Sequence, residues 1–161
     1  ERGPFVEPGA RGQFVGLTPE HDVEHLIRAV YEGLTLAIRD CVAHLPADPG
    51  TATVTGGGAQ SDLWCQLIAD CLGCPVAVPE GSEATAKGAA VLLAVSQGVY
   101  ASLSAAVERM VTVDRRYEPR ESVTEQYTAL YDHFSEVRRA MEPIWSTRAA
   151  ASNRADSEST E

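Results

Sequence analysis

Three consecutive glycines are the residues of this sequence best suited to a close approach by a ligand. Gly56, Gly57 and Gly58, here called the glycine turn, follow a β-branched segment at 51–55 and precede helical spacing at 61–72. Glycine has no Cβ, so it allows positive φ and lets a ligand reach the backbone. The helix that follows presents unpaired N–H groups and the positive end of its dipole. The turn therefore predicts a nucleotide site, although an ordinary βα turn uses the same residues.

The glycine turn does not match the named phosphate-binding motifs. The sequence has no G-x-x-x-x-G-K-[ST], because Lys87 is followed by Gly88 and Ala89. The three adjacent glycines also lack the G-x-G-x-x-G spacing. A Walker loop and a dinucleotide fingerprint are therefore both excluded.

A second motif resembles a zinc site. His21-Asp-Val-Glu-His25 matches H-x-x-E-H, in which two histidines one helical turn apart bind zinc and the glutamate acts as a base. Five residues match easily by chance, and these lie in the exposed first turns of an amphipathic helix. We therefore expect His21 and His25 to bind no zinc, and we predict no metal ligand in this chain.

The four cysteines are predicted to be free thiols. Cys71-Leu-Gly-Cys74 is formally C-x-x-C, but no second pair or histidine cluster follows at zinc-ligand spacing. Gly73 and Pro75 indicate that a helix ends here and a strand begins. The cysteines are Cys41, Cys65, Cys71 and Cys74.

Composition excludes some classes of function. The chain has 161 residues, 44% of them hydrophobic, which is typical of one soluble globular domain. A net charge of −10 and a pI near 4.8 argue against nucleic-acid binding. No apolar run is long enough to span a membrane, and no signal peptide is visible, so we expect no membrane attachment and a cytoplasmic location. Glu1 in place of a methionine predicts a fragment or a processed piece.

The hydrophobic spacing predicts an alternating series of helices and strands. The first helix is expected to start at the cap Thr18 with Pro19 and Glu20 in its first turn, and to bury a face that includes Ile27 and Leu34. Such alternation is typical of a sheet with helices packed on it, and so of the α/β class. The predicted elements are a strand at 13–17, helices at 19–45, 61–72, 84–100 and 122–146, a strand at 51–55, a strand at 75–79 that lies at an edge or ends abruptly, and a loop at 114–119.

Three blocks of residues together resemble the C-terminal domain of the FGGY family of carbohydrate kinases. The first block is 10–18 with 25–33, the second is 55–64 with Ala69 and Asp70, and the third is 79–90. The resemblance runs from Pro8 to about Tyr117, and the sequence most resembles the xylulokinase-like members of the family. The domain assignment that follows is a loop and strand at 1–18, a partial nucleotide-binding domain at 19–121, a C-terminal helix at 122–148 and a disordered tail at 149–161.

The resemblance implies a partial actin-like ATPase lobe with a ribonuclease-H-like fold. It also implies that Gly57, Gly58 and Ala59 lie against ATP, and that Asp62 borders the purine. Glycerol kinases carry an amide at the position of Asp62, so the hydrogen bond made there is open. The glycine at 58 is expected to leave space for the nucleotide and to adopt a positive φ.

The remaining catalytic parts are expected outside this chain. In the family, the base is an aspartate of the N-terminal lobe, and a second phosphate loop and most Mg²⁺ contacts also precede this segment, so no residue here is predicted to be catalytic. The expected partners are ATP, the N-terminal lobe and a sugar or polyol, with a homodimer left open. D-xylulose is the favoured acceptor; ribulose, L-xylulose, erythritol, glycerol and gluconate are alternatives. A stand-alone α/β binding domain without chemistry is the competing hypothesis.

Overall fold

The computed structural model describes residue 7 and residues 9–46, 49–81 and 83–158, with side chains described as far as Thr147. The chain forms two compact units. The first unit comprises Glu1–Ala47 and Glu125–Glu161, and the second unit is Asp48–Thr124. The elements are α1 (Val23–Ala43), β1 (Ala52–Thr53), α2 (Asp62–Leu72), β2 (Val76–Pro79), α3 (Ala84–Ser96), α4 (Leu103–Met110), β3 (Val113–Tyr117) and α5 (Glu121–Glu158).

A small mixed sheet forms the centre of the second unit. Its strand order is β1-β2-β3, with β1 parallel and β3 antiparallel to β2. Val76 and Val78 of β2 are buried, as are Cys65 and Leu67 of α2. The core therefore lies where α2 meets the middle strand, as expected for apolar residues at strand and helix spacing.

The strand bracketed by Pro75 and Pro79 is central, so the prediction that it lies at an edge is wrong. A proline lacks an N–H, but neither of these positions leaves a gap in the ladder. Pro75 supplies a carbonyl that accepts from Ala52 N at 2.8 Å. Pro79 is the last residue of β2 and follows an irregularity in the pairing with β3. The alternative prediction, a strand that ends abruptly, fits β2, which ends at Pro79 directly after this irregularity.

Helix α1 begins later than the sequence suggested. Its cap is Asp22, whose carboxylate accepts from the backbone N–H groups of Glu24 and His25. Thr18, the predicted cap, instead donates its hydroxyl to Glu20 across a turn. Both residue types are good caps, and the carboxylate that reaches two amides determines the start. The predicted strand at 13–17 is absent from the described residues, which are irregular there.

The predicted apolar face of α1 is largely exposed. Ile27, Val30 and Leu34 are each about half exposed, whereas Leu36 and Asp40 are buried. Side chains of α5 approach α1 mainly through polar groups. The expectation of a continuous buried face along 19–45 is therefore wrong for these residues.

Two elements were not predicted, and one extends further than expected. The charged segment 114–119, expected to be a loop, contributes to β3, and the segment before it forms α4 with Ser102 as its cap. Helix α5 continues to Glu158, where the sequence predicted that the helix ends near 146 and that a disordered tail begins at 149. Residues 1–6 of the predicted loop and residues 159–161 of the predicted tail lie outside the described residues.

Candidate functional site

The glycine turn lies directly after β1 and leads into α2. Gly56 has φ +80°, and the segment Gly57–Gln60 forms one turn of 3₁₀ helix. The Ala59 N–H closes this turn on the Gly56 carbonyl at 3.1 Å. The strand itself is shorter than predicted, although Val54 N still bonds to the Ala77 carbonyl at 3.0 Å. The turn therefore lies at the carboxyl end of a strand in a parallel pair, which is where ligands bind in open α/β sheets.

Gly58 is glycine because of packing inside the chain. An ideal Cβ on Gly58 would lie 2.6 Å from Cζ3 of Trp64, which is too close for any real side chain. The positive φ expected at Gly58 is found at Gly56 instead. The indole of Trp64 therefore accounts for the need for glycine at 58. Contact between Gly58 and ATP stays a prediction.

Gly57 has the open surface that was expected at Gly58. Apart from Gly57 itself and its two chain neighbours, no atom of the described chain lies within 4 Å of a Cβ built on Gly57, and its φ is not in the left-handed region. As the first residue of the 3₁₀ turn, Gly57 has an N–H without a carbonyl partner inside that turn. A ligand that needs close backbone contact would therefore meet the chain at Gly57.

Asp62 is part of a hydrogen-bonded cluster with two residues of β3. Its Oδ1 accepts from Arg115 Nη1 at 2.5 Å and from the Tyr117 hydroxyl at 2.6 Å. A second nitrogen of the same guanidinium, Nη2, donates to the Ala59 carbonyl at 2.8 Å. Two of the predicted ligand-facing residues, Ala59 and Asp62, are thus bound by the same guanidinium.

The charge of Asp62 is stabilised by this cluster. The hydrogen bonds from Tyr117 and Arg115 lower the pKa of Asp62 below its ordinary value. The hydrogen bond to Asp62 also raises the pKa of Tyr117, because only the protonated phenol can donate a hydrogen bond to the carboxylate. Asp62 therefore presents an ionised, acceptor-only carboxylate beside the glycine turn.

Sequence reasoning did not find Arg115 and Tyr117. They lie in the segment 114–119, which begins with a charged run and was interpreted as a loop. The available signal was alternation, because residues 113, 115 and 117 share one face of a strand while 114 and 116 share the other. That signal is weak in a strand with no long apolar run.

Asp70 also belongs to the second block of the resemblance, and its role in the structure is to anchor the start of α5. The carboxylate is fully buried, accepts from Arg120 N at 2.8 Å and pairs with the Arg120 side chain at 2.5 Å. Gln66 Nε2 donates to it at 3.0 Å. Although burial opposes ionisation, the Arg120 and Gln66 hydrogen bonds lower the pKa of Asp70.

A hollow of about 170 Å³ lies on the α3 and α4 side of the second unit. None of Gly57, Gly58, Ala59 or Asp62 is among the residues that line it. The hollow reaches the residue before the glycine turn, Thr55, but the four predicted nucleotide contacts do not line it. Its lining residues are Thr55, Pro79, Glu80, Gly81, Ala84, Lys87, Gly88, Val91, Val107 and Val111.

The histidines of the H-x-x-E-H motif make local hydrogen bonds at the start of α1. His25 Nδ1 lies 2.7 Å from Asp22 Oδ1, and His21 Nδ1 accepts from Thr18 N at 2.9 Å. Throughout the described ranges, no group of three His, Cys, Asp or Glu residues is arranged to hold a metal ion. The same part of the chain contains no helix long and apolar enough to cross a membrane.

The cysteine motif is part of the core of the second unit. Cys65, Cys71 and Cys74 are buried and Cys41 is exposed, and none of the four forms a disulfide within the described residues. Gly73 ends α2 in the left-handed conformation with φ +67°, as the sequence predicted for this helix end.

Comparison with models of known protein families shows which family the chain belongs to. Residues 1–97, more than half of the sequence, match the model of the FGGY family of carbohydrate kinases, C-terminal domain. The chain belongs to this family. The predicted resemblance and the α/β fold class are thereby confirmed. The match includes the glycine turn and Asp62, whereas Arg115 and Tyr117 lie beyond it.

Individual relatives agree on the family and differ in their substrates. Erythritol kinase of Brucella abortus is 34% identical over 93% of this chain and 29% of its own length. The structure of gluconate kinase from Lactobacillus acidophilus has a TM-score of 0.80 at 27% identity, covering 86% of this chain and 29% of that protein. Xylulose kinase from Rhodospirillum rubrum has a TM-score of 0.76 at 30% identity, covering 86% and 29%. The FGGY chain described here thus spans less than a third of the length of these relatives.

Proposed function

We propose that the chain is the ATP-binding C-terminal part of a kinase that transfers the γ-phosphoryl group of ATP to a hydroxyl of a sugar or polyol. The observation that carries this proposal is the family match over 1–97, which includes a glycine turn at the carboxyl end of β1. Relatives named as kinases of erythritol, gluconate and xylulose support the same reaction class. The cytoplasm is where we expect such an enzyme to meet ATP.

In this proposal the nucleotide lies along the glycine turn and the start of α2. Gly57 gives the open backbone surface. Ala59 is buried, so we propose that it supports the site through its backbone. Gly58 contributes indirectly, since it makes room for Trp64 within the turn. Asp62 lies beside the purine, where an ionised carboxylate accepts hydrogen bonds.

Magnesium enters with the phosphates of ATP. Mg²⁺ prefers oxygen ligands and is commonly held by one or two carboxylates plus substrate phosphates, so a protein cage is not required. The aspartate base and the remaining phosphate contacts are proposed to belong to the N-terminal lobe. Phosphoryl transfer depends on positioning and charge neutralisation by both lobes, and we expect the chain alone not to turn over.

D-xylulose is the acceptor we propose to test first. The sequence has a xylulokinase-like look, and a xylulose kinase shares the fold at 30% identity. Erythritol and gluconate are the alternatives, because an erythritol kinase is 34% identical and a gluconate kinase has a TM-score of 0.80. Steady-state assays with D-xylulose, erythritol, gluconate and glycerol at fixed Mg-ATP identify the acceptor by the largest kcat/KM.

The test of the nucleotide site is Gly57→Val in the complete protein that carries this chain. Beyond the neighbouring residues of the turn, the Cβ meets no atom of the described chain within 4 Å, so the added bulk enters the open space in which we propose that the nucleotide binds. We expect the KM for ATP to rise roughly ten- to hundredfold, a loss of about 1–3 kcal/mol, with the acceptor KM little changed. KM values for both substrates and the melting temperature are measured on one preparation.

Gly58→Val is the matched contrast. Its Cβ collides with Trp64, so we expect a lower melting temperature whether or not ATP binds nearby. A stable Gly57→Val enzyme with an unchanged KM for ATP would remove the turn from the nucleotide site. A folded complete protein that binds no Mg-ATP by calorimetry at millimolar concentration would favour the stand-alone binding domain.

A further inference from the structure

Arg115 connects the last strand of the second unit to Ala59, the residue that directly follows the glycine turn. Its guanidinium donates to the Ala59 carbonyl, 56 residues earlier in the chain, and to the Asp62 carboxylate at the start of α2. These two acceptors lie on either side of the junction between the turn and the helix. One side chain thus fixes the end of the turn relative to the first residue of α2.

We propose that Arg115 is a positioning residue for nucleotide binding, which holds the Ala59 carbonyl and the Asp62 carboxylate in the arrangement that receives ATP. This inference rests on the proposed function of the glycine turn. Arg115 touches no reacting atom in this role. It acts through the backbone and the carboxylate that the nucleotide is proposed to contact.

The geometry requires an arginine. Nη1 and Nη2 of one planar group donate in different directions, at 2.5 Å to Asp62 Oδ1 and at 2.8 Å to Ala59 O. A rigid fork of donors fixes its two acceptors relative to each other, whereas a lysine ammonium on a flexible stem does not. Arg115→Lys therefore keeps the positive charge and loses the fixed distance between the two acceptors.

Tyr117 supports the same arrangement from the same face of β3. Its hydroxyl donates to Asp62 Oδ1 at 2.6 Å and lies 3.1 Å from Arg115 Nη1. The cluster is open to solvent, with the side chains of Arg115 and Asp62 36% and 75% exposed. An exposed ion pair contributes little to stability, so this cluster is better explained by positioning than by folding energy.

Arg116 provides a matched control. It is the next residue of β3, points to the other face, and pairs with Glu118 Oε1 at 2.6 Å with about half of its side chain exposed. Arg116→Ala therefore removes the same charge and a similar surface pair without touching the glycine turn.

The experiment compares Arg115→Ala, Arg115→Lys, Tyr117→Phe and Arg116→Ala in the complete protein. Calorimetry gives the Kd for Mg-ATP, kinetics give the KM for ATP and for the acceptor, and thermal scans give the melting temperature. We expect Arg115→Ala to raise the Kd and KM for ATP by about tenfold or more, which corresponds to about 1.4 kcal/mol. Arg115→Lys and Tyr117→Phe should show smaller rises, Arg116→Ala none, and the acceptor KM should not change in any variant.

The outcomes separate this inference from the proposed function. If the wild-type protein binds ATP and Gly57→Val weakens binding while Arg115→Ala does not, the positioning role is wrong and the nucleotide site stands. If the folded wild-type protein binds no ATP, both are wrong. If Arg115→Ala does not fold, Arg115→Lys is the deciding variant. The inference is overturned if Arg115→Lys leaves the Kd for ATP unchanged, or if Arg116→Ala raises the Kd by as much as Arg115→Lys does.

Discussion

The two units of the chain are stabilised by different kinds of interaction. In the second unit, the middle strand and α2 bury apolar side chains, with Leu67 and Val76 almost completely excluded from water. In the first unit, α1 and α5 meet through hydrogen bonds. Tyr127 donates to Glu32 at 2.9 Å, and Tyr131 donates to Asp40 at 2.7 Å. Apolar burial dominates in the second unit, whereas in the first unit these polar pairs accompany a smaller set of buried apolar side chains that includes Leu36 and Trp145.

This difference predicts different responses to mutation and to pH. Apolar burial depends on side-chain volume and has little pH dependence, whereas pairs between tyrosines and carboxylates depend on protonation. Each unit also carries one of the two tryptophans of the chain, Trp145 in the first unit and Trp64 in the second. Single-tryptophan variants, Trp64→Phe and Trp145→Phe, therefore report on the unfolding of each unit separately.

The largest effect is expected for Leu67→Ala in the second unit. Leu67 is 1% exposed, so truncation leaves a cavity in the core on the α2 side of the sheet. We expect the free energy of unfolding to fall by about 2–5 kcal/mol. Urea unfolding of the chain, followed by Trp64 fluorescence in the Trp145→Phe background, measures it.

Leu63→Ala is the control for this change. Leu63 lies on the same helix but is about half exposed, so the same truncation removes little buried surface. Equal losses for Leu67→Ala and Leu63→Ala would show that α2 does not bury the face described here.

The sequence predicted the second unit best where local patterns agree. The β-branched segment, the glycines and the spacing at 61–72 each favour the same strand, turn and helix, and the Gly73 helix end is a local signal too. Strand β3 was missed because its evidence is not local: Arg115 pairs with Val78 across the sheet, and the charged run alone resembles a loop. The same reason hid the contact of Arg115 with the glycine turn.

Packing between elements also explains what was misjudged in the site. Gly58 was correctly identified as a position that needs glycine, yet the group it accommodates is Trp64, six residues later. No pattern in the sequence distinguishes space for a ligand from space for an indole. In the first unit, the 3.6-residue spacing of α1 predicted a buried face that α5 does not cover.

A second prediction concerns the alkaline stability of the first unit. Burial and the hydrogen bond to Glu32 raise the pKa of Tyr127 to about 12 from an ordinary value near 10. The contribution of Tyr127 to the free energy of unfolding is therefore fully present below pH 10. It is lost as the pH rises through about 12, and its size is about 2–3 kcal/mol. Urea unfolding between pH 8 and 12, followed by Trp145 fluorescence, should show this fall.

Tyr127→Phe tests the assignment. The variant keeps the ring and lacks the titrating hydroxyl, so this part of the alkaline pH dependence should disappear. A Tyr127→Phe curve parallel to the wild-type curve from pH 8 to 12 would mean that other groups cause the loss.

A third prediction concerns acid and the second unit. The pKa of Asp70 is lowered in the folded chain because the Arg120 and Gln66 hydrogen bonds outweigh burial. Its contribution is present above the unfolded pKa, near 4, and is lost as the pH falls through the lower folded value. Asp70→Asn should reduce stability at pH 7 by about 1.5–3 kcal/mol, the range for hydrogen bonds to a charged group, and should flatten the acid limb. Unfolding curves measured from pH 7 to 3, followed by Trp64 fluorescence, test this prediction. If Asp70→Asn loses as much stability between pH 7 and 3 as the wild-type chain does, the prediction is wrong.

The smallest effect is expected on the exposed face of α1. Ile27 is 55% exposed, so Ile27→Gln removes little buried surface and should change the free energy of unfolding by about 0.5 kcal/mol or less. Leu36→Ala, on the buried side of the same helix, should lower it by about 2–5 kcal/mol. Urea unfolding of both variants, followed by Trp145 fluorescence, compares the two faces directly. A loss above about 1 kcal/mol for Ile27→Gln would show that apolar contacts cover this face. Helix α1 would then bury two faces. The contrast between an apolar second unit and a more polar first unit would be wrong.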